Sequence, residues 1–130
     1  PMNAPGSEIN LNPEEKLREE AGYKLVQQVS DRVARGFLYA LREGAEVINI
    51  SLGWPQVADS KMLRDLIAEA HRRGVIVVAA AGNDSTRALL RPCVYEGVIC
   101  VGSLNPDGSL SHFSNYGSGV DIAAPGLSIL

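Results

Sequence analysis

The chain is 130 residues long, 45% hydrophobic and 21% charged, which fits one globular domain or a piece of one. A formal net charge of −3 gives no footing for nucleic acid or an anionic membrane surface as partner. No apolar run approaches the length that spans a bilayer, no secretory leader is visible, and Pro1 in place of Met reads as an artificial or processing boundary.

Residues 1–29 differ in character from the rest and read as a polar insertion or linker. Pro1 to Leu11 lacks periodicity, and Pro5-Gly6-Ser7 is loop chemistry. Asn12-Pro13-Glu14-Glu15 is a strong helix start, with Asn as N-cap, proline at the first helical position and Glu three residues after the cap. Gly22 predicts that this helix is short. From Ser30 the pattern tightens, and residues 30–130 read as one partial domain. Val33, Phe37, Ala40 and Leu41 recur at helical spacing, with Gly44 where a C-cap glycine belongs. Residues 46–52 form a strand that ends at Gly53. Leu63, Leu66, Ile67 and Ala70 mark the apolar stripe of a second helix, capped by Asp59 or Ser60 and stopped at Gly74. His71, in its last turn, favours the helix dipole.

Gly74 to Asp84 is the most informative stretch. Four β-branched residues in succession, Val75 to Val78, suit a strand covered on both faces. Ala80, Ala81 and Gly82 then leave room for another backbone to lie close. Asn83 stands at the carboxyl end of that strand, where open α/β sheets place their ligands. An amide beside bare backbone is what a site needs to hold a developing oxyanion. After a loop through Arg91-Pro92, residues 97–102 form a third strand, Asn105-Pro106-Asp107-Gly108 a turn, and residues 120–124 a final strand. Strand and helix in this order give right-handed crossovers and an α/β fold, a parallel β-sheet with flanking helices. Cys93 and Cys100 are too few for a disulfide scaffold and lack zinc-ligand spacing. They form one bridge or remain two buried thiols, with the balance slightly towards thiols. His112 lies in the polar run Ser109–Ser114 and reads as solvent-exposed.

Val47-Ile48-Asn49-Ile50-Ser51-Leu52-Gly53 and Val77-Val78-Ala79-Ala80-Ala81-Gly82-Asn83-Asp84 are followed by Phe113-Ser114-Asn115-Tyr116-Gly117 and Asp121-Ile122-Ala123-Ala124-Pro125-Gly126. In this order, with Val98-Ile99-Cys100-Val101-Gly102 between, the segments resemble the subtilisin-like serine peptidases, peptidase S8, over roughly residues 30–130. The resemblance implies part of a three-layer fold whose substrate is a peptide or protein. Ser51, Leu52 and Gly53 would pair with the substrate backbone, a form of strand addition. Ala80, Ala81 and Gly82 would form the opposite wall, and Asn83 would donate its amide to the tetrahedral intermediate. Asp84 would sit at the rim and bias the pocket towards basic side chains.

The resemblance further implies that the carbonyls of Cys93, Tyr95 and Val98, with the carboxylate of Asp121, can hold calcium or sodium. A further acidic position of that site falls on Gly119, and no cofactor is required. A cis peptide before Pro92 and a secreted or cell-envelope location belong to the same set of expectations. The family works by Ser-His-Asp nucleophilic catalysis. Its aspartate and histidine motifs lie upstream of anything matching residue 30, and its serine lies downstream of Gly126. The expectation is therefore a central fragment of an endopeptidase, inactive alone, with His71, His112 and Ser51 unable to substitute. The Val47–Leu52 strand would then lack an outer neighbour, and either self-association through that edge or cover by residues 1–29 is expected. The alternative functions are a pseudo-peptidase or peptide-binding module, and a nucleotide-binding α/β domain. For the last, no G-x-G-x-x-G or Walker pattern follows any strand.

Overall fold

A computed structural model describes residues 12–129, so the loop reading of Pro1 to Leu11 lies outside the described residues. Helix α1 spans Pro13–Arg42. Its start is the expected capping box: the Glu15 amide donates to Asn12 Oδ1 at 3.0 Å, and the Asn12 amide donates to Glu15 Oε2 at 2.8 Å. The expected stop at Gly22 does not occur. Gly22 keeps a negative φ inside a run of good helix formers, and a glycine there costs only about 1 kcal/mol against alanine. The helix ends instead at Arg42, with Glu43 as its C-cap and Gly44 just beyond, whose φ of +80° breaks the repeat.

Strand β1 (Val47–Ile50) follows, then helix α2 (Lys61–Arg72), β2 (Ile76–Ala80), β3 (Val98–Leu104) and β4 (Ile122–Pro125). Of the two proposed caps for α2, Ser60 serves: its Oγ accepts the Leu63 amide at 3.2 Å. Asp59 is engaged elsewhere, accepting the Tyr95 hydroxyl at 2.9 Å. The four strands form one parallel sheet in the order β1-β2-β3-β4. This is the α/β architecture read from the sequence.

The two faces of the sheet differ. Ile48, Ile50, Val77, Ala79, Val98 and Cys100 point into the core with Ala34, Phe37 and Leu41 of α1 and Leu63, Ile67 and Ala70 of α2. On the other face Val47 is 58% exposed, Ile76 49%, Ile99 40% and Ile122 56%. β2 is thus buried on one face only, not on both as its composition suggests. Strands of a parallel sheet are apolar on both sides because both faces ordinarily receive a layer. Among the described residues, helices supply one of them.

Cys93 and Cys100 form a disulfide, against the slight lean towards free thiols. Both are buried, and the bridge ties the loop after Pro92 to the middle of β3. Cysteine count and spacing gave no way to see this, because the loop first has to fold back along β3. The Arg91–Pro92 peptide bond is cis, as the resemblance implied.

Candidate active site

Parallel strands leave the sheet at a common end. Ile50 lies beside Ala79 in the register, so Ser51 and the chain after Ala80 emerge together. They border one cavity of about 240 Å³, whose lining includes Ser51, Ala80, Ala81, Gly82, Asn83, Gly102 and Gly126. The Ser51 hydroxyl accepts from Asn49 Nδ2 at 2.8 Å. Leu52 is not part of this cavity. It borders a separate hollow between the outer edge of β1 and Val33, Gly36 and Phe37 of α1. Gly53 lines neither, yet its lack of a side chain is required. A Cβ there would lie 2.9 Å from both the Arg91 carbonyl oxygen and Leu90 Cβ. The close approach allows Trp54 and Arg91 to exchange two backbone hydrogen bonds of 2.9 Å, which fasten the first wall to the loop that follows the second.

Asn83 is exposed at the mouth of the cavity, and its side chain makes no hydrogen bond to other described residues. Its backbone is held from both sides. Gly82, at φ +115°, accepts the Asn115 amide at 3.0 Å, and the Ser85 amide donates to Phe113 O at 2.9 Å. Tyr116 N–H donates to Thr86 O at 3.0 Å. The side chain of Asn115, fully buried, fills the space between these strands of chain. A Cβ on Gly82 would collide with Asn115 Nδ2, so a glycine there is required by space as well as by conformation. Asp84, expected at the rim, is exposed but does not line the cavity, and only its backbone amide is engaged. Reading the sequence gave Asn115 no role beyond membership of a motif. Its partners lie some thirty residues away along the chain, which no local pattern reveals.

The remaining site residues gather at the loop closed by the disulfide. Asp121 Oδ2 accepts the Cys100 amide at 2.7 Å, and the Tyr95 carbonyl accepts the Val98 amide at 3.2 Å. A Cβ on Gly119 would lie 2.6 Å from Leu89 Cδ1, the flexible end of a leucine side chain that could move aside, so it is the glycine itself that withholds a second carboxylate here. Asp121 is the one carboxylate among Cys93, Tyr95, Val98 and Asp121, and its Oδ2 already accepts the Cys100 amide, so this donor set falls short of the six to eight oxygens that calcium takes. Among the described residues no group of three or more His, Cys, Asp or Glu side chains converges. The Tyr95 hydroxyl donates to Asp59 and accepts the Ser60 amide at 3.3 Å, joining this loop to the start of α2. Burial, then the Asp59 carboxylate, pushes the phenol above its ordinary value of 10.0.

His71 lines a hollow with Gly74, Val75, Gly97 and Asp121, at the amino ends of the strands. That is the opposite end of the sheet from Asn83. His112 is exposed and meets Phe113 edge to face, with ring centroids 5.3 Å apart. Neither histidine borders the cavity that holds Ser51 and Asn83.

Residues 4–129 match the family model described as the subtilase family, Peptidase_S8. The chain belongs to the subtilase family. This subtilase segment is 42% identical over 98 residues to the thermophilic serine proteinase of Bacillus sp. (strain AK1), covering 75% of the chain and 24% of that protein. It is 38% identical over 103 residues to the major intracellular serine protease of Bacillus subtilis (strain 168), covering 75% of the chain and 32% of that protein. Among solved structures it resembles the prenylagaramide maturation protease PagA with a TM-score of 0.68 and 31% identity, over 72% of this chain and 36% of that one. The segment thus spans roughly a quarter to a third of the lengths of these relatives. No helix among the described residues is long and apolar enough to cross a membrane.

Proposed function

We propose that the protein carrying this segment is a subtilisin-like serine endopeptidase, and that the segment supplies two walls of its substrate cleft and the oxyanion donor Asn83. The observation that carries the reading is the shared cavity at the carboxyl ends of the strands, with Ser51 on one side, Ala80 to Gly82 on the other and a free amide at its mouth. Leu52 and Gly53, exposed and outside the pairing of the sheet, would follow Ser51 along a bound substrate strand. Asp84, exposed beside Asn83, would favour a basic side chain before the cleaved bond. An Asp84→Asn variant should lower kcat/KM for such substrates by about two- to fivefold, the size of an exposed charge effect. An unchanged preference would remove Asp84 from that role.

The 130 residues by themselves are inactive in this reading. Support comes from the histidines, one at the far end of the sheet and one in solvent, neither of which could take a proton from a serine at the cavity. No cofactor is required. The loop whose carbonyls and Asp121 could offer oxygens to calcium or sodium is already tied by the Cys93–Cys100 bridge and the Asp121–Cys100 hydrogen bond. The disulfide also supports a secreted or envelope location, because such bridges persist in oxidising compartments. Cell fractionation that recovers the protein from the cytosol would contradict this.

A serine-directed fluorophosphonate probe tests the reading. The full-length protein should be labelled and should cleave a casein substrate, while the 130-residue segment should do neither. A full-length protein that binds peptides without labelling would favour the alternative, a pseudo-peptidase or peptide-binding module that keeps the cleft without the chemistry.

A further inference from the structure

We infer that Asn115 is the positioning residue of the oxyanion donor, acting through a buried amide that brackets Asn83 in the chain. The inference rests on the assignment of Asn83 above. Asn115 is completely buried, and its side chain uses its whole hydrogen-bonding capacity on the one loop. Its Oδ1 accepts the amides of Asp84 at 2.8 Å and Thr86 at 3.3 Å. Its Nδ2 donates to the carbonyls of Ala81 at 3.1 Å and Ala88 at 3.3 Å. Two of these partners flank Asn83: Ala81, two residues before it in the cavity wall, and Asp84, the residue after it.

The chemistry explains why an amide is needed at this position. Ala81 and Ala88 present carbonyls and so require donors, whereas Asp84 and Thr86 present N–H groups and so require acceptors. Asparagine supplies two of each from one planar group, which fixes the chain on either side of Asn83 in one plane. Aspartate keeps the shape and both acceptor bonds but sets a carboxylate against two carbonyl oxygens. Serine is too short to reach both sides. An oxyanion donor works because it is already in place when charge develops, and a displacement of about 1 Å can cost on the order of 10²-fold in rate. The free side chain of Asn83 has no hydrogen bond of its own among the described residues to hold it, so its position is inherited from its backbone.

The test is a double-mutant cycle in the full-length protein, reading kcat and KM on a peptide substrate. Asn115→Asp should lower kcat by about 10²-fold with KM changed less than about threefold. In an Asn83→Ala background the same substitution should cost little more, because the donor it positions is gone. Equal losses in the two backgrounds would mean that Asn115 merely supports the fold, and would overturn the inference. If Asn83→Ala alone has no effect, the donor assignment fails and this inference fails with it. That outcome appears in the single variant and is distinct from a failed cycle. A second variant, Asn115→Ser, is read by amide hydrogen exchange. The Asp84 and Thr86 amides should exchange at least about tenfold faster while β2 and β3 keep their protection. Unchanged exchange at Asp84 and Thr86 would also overturn the inference.

Discussion

At the scale of single residues, two buried side chains beside the cavity and its neighbouring loop have every polar atom hydrogen-bonded. They are Asn115 and Tyr95. The Tyr95 hydroxyl joins Asp59 and Ser60, and the Arg91 guanidinium lies 5.6 Å from its ring centre. Losing such a hydroxyl leaves the Ser60 amide without a partner, so Tyr95→Phe is expected to reduce stability by about 1–2 kcal/mol in urea denaturation at neutral pH. The alkaline limb provides an independent check. Burial and Asp59 keep the phenol protonated to higher pH than in the unfolded chain, where it titrates near 10.0. Its contribution is therefore complete below about pH 10 and is lost as pH rises through the higher folded value. Wild type should lose stability more steeply than Tyr95→Phe over that window; parallel curves would count against it. Asn83 stood out as a candidate in the sequence because strand, small residues and amide lie in one run. Asn115 and Tyr95 did not, because each acts on chain 31 to 36 residues away.

At the scale of elements, two local expectations gave way to context. Gly22 sits in open space with helical geometry, so nothing but backbone freedom distinguishes it from alanine. Gly22→Ala should raise stability by about 0.5–1 kcal/mol, measured by thermal or urea unfolding. A loss would mean that α1 breaks there after all. Gly44 and Gly74 differ from it in their positive φ, which sequence position alone does not report. The cysteines were ambiguous for a similar reason, since only the fold brings Cys93 beside β3. The bridge closes a short loop, its two ends seven residues apart. Its removal in Cys93→Ala/Cys100→Ala is expected to cost about 2–3 kcal/mol by loop entropy. Chelation with EDTA, by contrast, should leave the melting temperature unchanged. A large shift with EDTA and none on removing the bridge would reverse the assignment of what ties this loop.

At the scale of the whole molecule, the open sheet face and the outer edge of β1 dominate. Val47, Ile76, Ile99 and Ile122 form an apolar surface, and β1 ends the sheet without a partner on its far side among the described residues. Unpaired edges and uncovered apolar faces promote association. The 130-residue segment in isolation is therefore expected to self-associate, with its weight in sedimentation rising with concentration. Val47→Lys should reduce this, and a monomer with rapidly exchanging amides through Val47–Leu52 would contradict it. The parallel α/β sheet was legible from the alternation of strand and helix. The bareness of one face was not, because a strand's composition records the layers it is made for. What unites the three scales is a wall, a free amide and the scaffold that aims it. The most direct measurement is the kcat of Asn83→Ala in the full-length protein. The expected result is a fall of about 10²–10³-fold, the size found for such a donor in a subtilisin itself, with KM little changed. Undiminished turnover would contradict the account at its centre.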